Sequence, residues 1–229
     1  MRYLVAAAVG AVVGMRRARS SRRLIWRLGT ERDVIGDVRN FSQSAVFVPA
    51  VAALGALAGV ALLWRFDVSV ELFAYALLTS ALVAQSIVDA ATHRLSRRIT
   101  MSTILFGGPL LVIAAIVADD PGRLVVSFAC TVLLFVVFLL LWVLSRGGIG
   151  GGDVRLAIVM GMYLGWLGVS YVLVAVIVAS VCGGIVALLL LVSRRATRTT
   201  RLAFGPYLAL GTLVSIMAGE SISRIWLGV

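Results

Sequence analysis

Two aspartates, Asp89 and Asp153, have the residue type and the setting for acid–base chemistry. Asp89 ends one long apolar run, and Asp153 begins another after a segment with five glycines at 147–152. Two carboxylates that face each other in a partly dry pocket do not both ionise easily, because like charge and desolvation favour the protonated form of one. Such a pair can activate a water molecule and protonate a leaving amide nitrogen, which is the chemistry of aspartic proteases.

The apolar setting makes both residues candidates for function. An ionised aspartate at the centre of a membrane helix costs about 2.5–3.5 kcal/mol on insertion scales, and less near the interface. The alternative for Asp89 is an interfacial carboxylate that pairs with arginines of the following loop, namely Arg94, Arg97 or Arg98.

The glycines before Asp153 need a separate explanation. Each glycine costs a helix about 1 kcal/mol relative to alanine, so the segment is predicted to stay open for a substrate backbone to approach. The alternatives are a flexible loop or close helix packing of the small-xxx-small kind. A phosphate-binding loop is disfavoured, because no soluble strand precedes these glycines.

The elements that position these residues are predicted to be membrane helices. The chain has 229 residues, is 61% hydrophobic and has a mean hydropathy of +1.07, whereas soluble domains are about 45–50% apolar. A membrane span needs about 20 apolar residues. After a short apolar segment at 3–15, the predicted spans are 45–64, 69–90, 99–118, 124–144, 154–168, 170–192 and 202–219. The sequence thus predicts an all-α, polytopic helical bundle with seven or eight transmembrane helices, in a single domain over 1–229.

Charge gives the orientation. All 21 basic residues are arginines, and with 10 acidic residues the net charge is +11. Seventeen arginines fall on one side of an eight-span topology and four on the other, so the positive-inside rule places the first side in the cytoplasm. A basic loop at 16–44 and both aspartates then lie at the cytoplasmic face. Because the arginines flank membrane segments, we expect the bilayer and not nucleic acid as the partner.

Metal chemistry is not predicted. The two cysteines, Cys130 and Cys182, lie inside apolar runs far from the single histidine, His93. This pattern does not supply the four ligands of a structural zinc site, and it does not favour a disulfide framework.

Three ordered motifs resemble those of type IV prepilin peptidases. The segment 150–156, Gly-Gly-Gly-Asp-Val-Arg-Leu, resembles their Gly-x-Gly-Asp motif. Asp89, followed by Leu95, Ile99 and Thr100, resembles their first catalytic motif. The segment 204–211, Phe-Gly-Pro-Tyr-Leu-Ala-Leu-Gly, is similar to a third signature near the C-terminus. The resemblance covers roughly 74–211.

The resemblance implies an aspartic endopeptidase of the bacterial cytoplasmic (inner) membrane that needs no metal or cofactor. It would remove the basic leader of a prepilin or pseudopilin at the cytoplasmic face, in type IV pilus assembly or type II secretion. Asp89 and Asp153 map onto the family's catalytic aspartates. The residues that would bind substrate or support the motifs are Gly150, Gly152, Arg155, Gly205 and Pro206.

The sequence also departs from the family pattern. Ser96 stands where the family commonly has proline, and Arg155 stands where it has lysine. Bifunctional members carry a segment with paired Cys-x-x-Cys and methylate the new N-terminus, whereas this chain has no cysteine before Cys130. We therefore expect a short peptidase without that segment, and methyl transfer is not favoured.

Three other functions are compatible with the paired aspartates. A presenilin-like intramembrane protease shares the Gly-x-Gly-Asp element. A small transporter or proton relay could bind a cation between the aspartates, although the broken, inverted helices of transporters are not evident. An inactive homologue could act as a scaffold. The sequence leaves the oligomeric state and the particular prepilin open.

Overall fold

The computed structural model describes residues 2–28, 47–92, 94–145, 150–193 and 203–227, and every regular element in these ranges is an α-helix. The all-α prediction is therefore confirmed. The helices are α1 (Arg2–Leu28), α2 (Phe47–Phe66), α3 (Val70–Thr92), α4 (Arg97–Ala118), α5 (Gly122–Leu144), α6 (Gly151–Leu167), α7 (Val169–Val192) and α8 (Gly205–Leu227).

Five of these helices, α2 to α5 and α7, are long and apolar enough to cross a membrane. They make the chain a multi-pass membrane protein. The total of seven or eight spans stays a prediction.

Two helices differ from their predicted bounds. Helix α1 continues through residues 16–28, where we expected the basic loop to begin. Arginine is a good helix former and no glycine or proline interrupts this stretch, so the apolar segment has no local reason to end at Met15. Residues 29–44 of the expected loop lie outside the described residues. Helix α6 begins at Gly151, three residues before its predicted start.

The chain forms two compact units, residues 1–110 and 111–229. In the first unit, α1 and α2 pack antiparallel through glycines four residues apart on each helix. A Cβ atom on Gly10 would overlap the carbonyl oxygen of Gly55, and one on Gly59 would lie 2.6 Å from the carbonyl oxygen of Ala6. Such small-xxx-small packing lets two backbones touch.

Helix α3 runs parallel to α1 within this unit. Just before α3 begins, Asp67 accepts a hydrogen bond of 2.9 Å from Arg2 near the start of α1. Farther along, Arg17 Nη2 donates to Ser80 Oγ at 3.2 Å. The earlier contact on α1 is thus also the earlier contact along the chain at α3, as expected for two parallel helices.

In the second unit, α5 and α6 pack through Gly161 and Gly165. A Cβ atom on Gly161 would lie 2.5 Å from Thr131 Cα, and one on Gly165 would lie 2.6 Å from Cys130 Cβ. The Ser127 hydroxyl donates to the carbonyl of Met162 at 2.6 Å. These contacts fix the helix that carries Asp153 against its neighbour.

Helices α7 and α8 form a second close pair in this unit. A Cβ atom on Gly211 would overlap the carbonyl oxygen of Ala175, and the Ser215 hydroxyl donates to the carbonyl of Tyr171 at 2.6 Å. The link between α6 and α7 is the single residue Gly168, whose φ of 136° is strained for any residue with a side chain.

A pair of alanine substitutions tests this packing. Gly161→Ala forces α5 and α6 apart, and we expect it to destabilise the protein by about 1–3 kcal/mol. Gly184→Ala is the matched control, because a Cβ atom there meets nothing within 4 Å. Thermal melting of the two purified variants in detergent measures the difference. Equal melting temperatures would contradict close glycine packing at Gly161.

Candidate active site

Asp89 lies near the C-terminal end of α3 on a buried face of the helix. Asp89 is 4% exposed. On the same face, Gln85 lies one turn earlier and is 2% exposed, and Leu82 lies two turns earlier and is 1% exposed. Asp89 therefore belongs to a buried, mostly apolar face of α3 in the first unit.

Gln85 joins the end of α3 to the next helix. Its Nε2 donates to Thr100 Oγ1 at 2.9 Å, and its Oε1 accepts from the backbone N–H of Ser96 at 3.0 Å. The Thr100 hydroxyl in turn donates to the carbonyl of Ser96 at 3.3 Å. These bonds hold the loop after Asp89 against α3, one helical turn away from the carboxylate.

Gln85 was not among the predicted site residues. The signal was present, since Gln85 is a polar residue four positions before Asp89 in an apolar helix. The structure also gives a physical meaning to Ser96, where the family resemblance leads us to expect proline. The backbone N–H of Ser96 donates a hydrogen bond to Gln85, and proline has no backbone N–H that could replace it.

Asp153 is the third residue of α6 and is 6% exposed. Its Oδ2 accepts a hydrogen bond of 3.2 Å from the N–H of Gly150, the residue that caps the helix. The backbone N–H of Asp153 donates to the Gly150 carbonyl at 3.0 Å. A carboxylate in the first turn of a helix also faces the positive end of the helix dipole.

The motif glycines have a visible role at Gly150. A Cβ atom there would lie 3.3 Å from Asp153 Oδ2, so glycine allows the carboxylate to fold back over the start of the helix. Gly152 lies within the first turn of α6, and Arg155 Nε donates to the carbonyl of Gly151 at 3.2 Å. Residues 146–149, which include two of the five glycines, lie outside the described residues.

The third motif forms the start of α8. Gly205 begins the helix, and Pro206 lies in its first turn, where a missing N–H is tolerated. The backbone N–H groups of Tyr207 and Leu208 both donate to the carbonyl of Phe204 at 3.1 Å. Because α7 runs antiparallel to its neighbours, α6 and α8 both begin at the same end of the second unit.

The structure therefore brings Asp153 together with Gly150, and it places the start of α8 at the same end of that unit. Asp89 belongs to the other unit with Gln85. The meeting of the two aspartates stays a prediction, and His93 lies outside the described residues.

Comparison with protein families identifies the region that carries both aspartates. Residues 76–188 match the family model described as type IV leader peptidase family. The chain is therefore similar to this family over just under half of its length. The matched region ends before the 204–211 motif.

Curated relatives carry a two-part name. The "Prepilin leader peptidase/N-methyltransferase" of Pseudomonas aeruginosa is 28% identical over 180 residues, which cover 78% of this chain and 61% of the relative. The protein of that name from Aeromonas hydrophila gives the same identity and coverage. The one from Legionella pneumophila is 24% identical over 187 residues, 82% of this chain and 64% of the relative. The chain thus spans about three fifths of the length of the leader peptidases it matches. No solved structure matches the chain.

The Ser96 contact can be tested with two substitutions. Ser96→Pro removes the N–H that Gln85 Oε1 accepts from, and a buried acceptor left without a donor costs about 1–3 kcal/mol. Ser96→Ala is the matched control because it keeps that N–H. We expect Ser96→Pro to melt at a lower temperature than Ser96→Ala, and the reverse order would show that the contact does not stabilise this loop.

Proposed function

We propose that this chain is a membrane-embedded aspartic endopeptidase of the bacterial cytoplasmic membrane. Its substrate is a prepilin or pseudopilin, from which it removes the basic leader at the cytoplasmic face. The observation that carries the proposal is that both buried carboxylates, Asp89 and Asp153, lie inside the region that matches the leader peptidase family. The names of the curated relatives support the substrate class.

The proposed reaction uses the two carboxylates with opposite roles. The ionised carboxylate takes a proton from a water molecule as the water oxygen attacks the scissile carbonyl carbon. The protonated carboxyl donates a hydrogen bond to the carbonyl oxygen, where negative charge develops. Proton transfer to the amide nitrogen then breaks the C–N bond, and the peptide leaves as an amine and an acid.

The helix ends suggest which carboxylate has which role. Asp153 lies at the positive end of the α6 dipole and accepts a backbone N–H, and both features stabilise its negative charge. Asp89 lies near the C-terminus of α3, which is the negative end of that helix dipole, and negative charge is disfavoured there. In the proposed mechanism Asp153 is therefore the base, and Asp89 carries the proton.

Amide substitutions test the two catalytic residues. Asp89→Asn and Asp153→Asn should each lower leader removal by about 100-fold or more, because general acid–base catalysis contributes roughly 10²–10⁴ in rate. Asparagine at 153 still offers an oxygen to the Gly150 N–H, so the start of α6 is kept. Processing of a co-expressed prepilin, followed on immunoblots, gives the rate.

The control is Asp120→Asn. Asp120 forms an exposed ion pair with Arg123 at 3.0 Å, and its loss should leave processing unchanged. If Asp89→Asn or Asp153→Asn cleaves within about twofold of the parent rate, the altered carboxylate has no catalytic role.

The position of the cut separates leader removal from intramembrane proteolysis. We expect the new N-terminus of the product to lie just before the apolar helix of the substrate. A presenilin-like protease would instead leave the new end inside that helix. N-terminal sequencing of the purified product distinguishes the two, and its mass shows whether a methyl group has been added, which we do not expect.

A further inference from the structure

The three hydrogen bonds around Gln85 form a closed ring next to Asp89. Gln85 Nε2 donates to the Thr100 hydroxyl, the Thr100 hydroxyl donates to the carbonyl of Ser96, and the N–H of Ser96 donates to Gln85 Oε1. The ring therefore joins α3, the connection that follows it and the first turn of α4.

The ring allows only one orientation of the Gln85 amide. A backbone N–H can only donate, so the N–H of Ser96 requires the amide oxygen of Gln85, and the amide nitrogen must face Thr100. Gln85 and Thr100 are each 2% exposed, so water has little access to replace these bonds. A buried amide is costly unless it is hydrogen-bonded, and a buried network of this kind is rigid.

Asp89 lies in the part of α3 that has the least support from the helix itself. The helix ends at Thr92, only three residues later. The last four carbonyl groups of a helix have no partner within it, and helix ends fray. A carboxylate in such a turn needs support from elsewhere to keep one orientation.

The ring supplies this support from both sides of Asp89. The bond between Gln85 and Ser96 joins residues that are 11 positions apart, and Asp89 lies between them. Ser96 is in turn fixed by α4, because the backbone N–H of Thr100 donates to its carbonyl at 3.2 Å. With both ends of the segment anchored, the last turn of α3 has less freedom to unwind.

We propose that Gln85 is a positioning residue for Asp89, a role that rests on the proposed peptidase function. Through its ring with Ser96 and Thr100, Gln85 holds the last turn of α3 so that the Asp89 carboxyl meets the substrate in one orientation. Gln85 itself touches neither the substrate nor the attacking water. Orientation matters because a displacement of about 1 Å can cost on the order of 100-fold in rate.

Backbone hydrogen exchange of the full chain in nanodiscs tests whether the ring holds this turn. Gln85→Leu removes both bonds of the amide, and we expect exchange of residues 86–92 to become about tenfold faster or more. Thr100→Val keeps the bond between Gln85 and Ser96 and should have a smaller effect, which also serves if Gln85→Leu does not fold. Thr100→Ser keeps the hydroxyl and should exchange like the parent protein.

The kinetics of leader removal test whether the held turn matters for the reaction. Gln85→Leu should lower kcat by about tenfold or more and leave KM within about twofold, because the ring does not touch the substrate. Thr100→Val should lower kcat less, and Thr100→Ser should restore it.

Ser215→Ala is the control for a general loss of stability. It removes a buried hydrogen bond of 2.6 Å to the carbonyl of Tyr171, which lies in the other unit and away from α3. All variants are assayed well below their melting temperatures, so each is fully folded. Ser215→Ala should then melt at a lower temperature and keep the parent kcat.

Two results would overturn the positioning role while the parent protein still removes leaders. A loss of kcat in Gln85→Leu no larger than that in Ser215→Ala would show that the ring only stabilises the fold. Unchanged exchange of residues 86–92 in Gln85→Leu would show that the ring does not hold the turn. A parent protein that cleaves no prepilin would instead contradict the proposed function, and the role of Gln85 in the reaction would fall with it.

Discussion

A carboxylate near the end of an apolar helix needs neighbouring groups to hold its charge or its proton, because the hydrocarbon region offers no water for this purpose. The structure shows how this constraint is met at Asp153, and it shows the surroundings of Asp89. Asp153 accepts a hydrogen bond from the backbone N–H of Gly150, the residue that caps its helix. Asp89 lies on a buried face one turn from Gln85, whose amide nitrogen and oxygen each form a hydrogen bond that holds the adjoining loop. The fold of the chain at the start of α6 follows from this need.

Close backbone packing is the second physical feature on which the structure depends. Membrane helices gain no hydrophobic energy from leaving lipid for one another, so van der Waals contact between small residues holds them together. Gly10 with Gly55, and Gly161 with Thr131, bring helix backbones into contact in the first and second units respectively. The contact at Gly161 fixes α6, the helix that carries Asp153 in its first turn.

Much of the fold could be predicted from the sequence, because apolar length alone sets most spans. Hydropathy placed α6 three residues late, since it takes no account of the bond by which Asp153 stabilises the start of its helix. It also ended the first segment at Met15, although arginines extend that helix to Leu28. The motifs predicted the resemblance that the family model supports, and the catalytic role of both aspartates stays a prediction. Gln85 stands out in the sequence as a polar residue in an apolar helix, but only the structure shows that its partners are residues 96 and 100.

The central claim is that residues 89 and 153 share one site, and a short cross-link tests it most directly. Cysteines are introduced at both positions in a chain with Cys130→Ala and Cys182→Ala. The membranes are treated with a short bifunctional thiol reagent that joins two sulfur atoms about 5 Å apart, somewhat farther than the roughly 2 Å of a disulfide bond. The account predicts an intramolecular cross-link in the double variant and none in either single variant. If both thiols react with a monofunctional reagent but never cross-link, the two carboxylates do not share a water molecule and the proteolytic account is wrong.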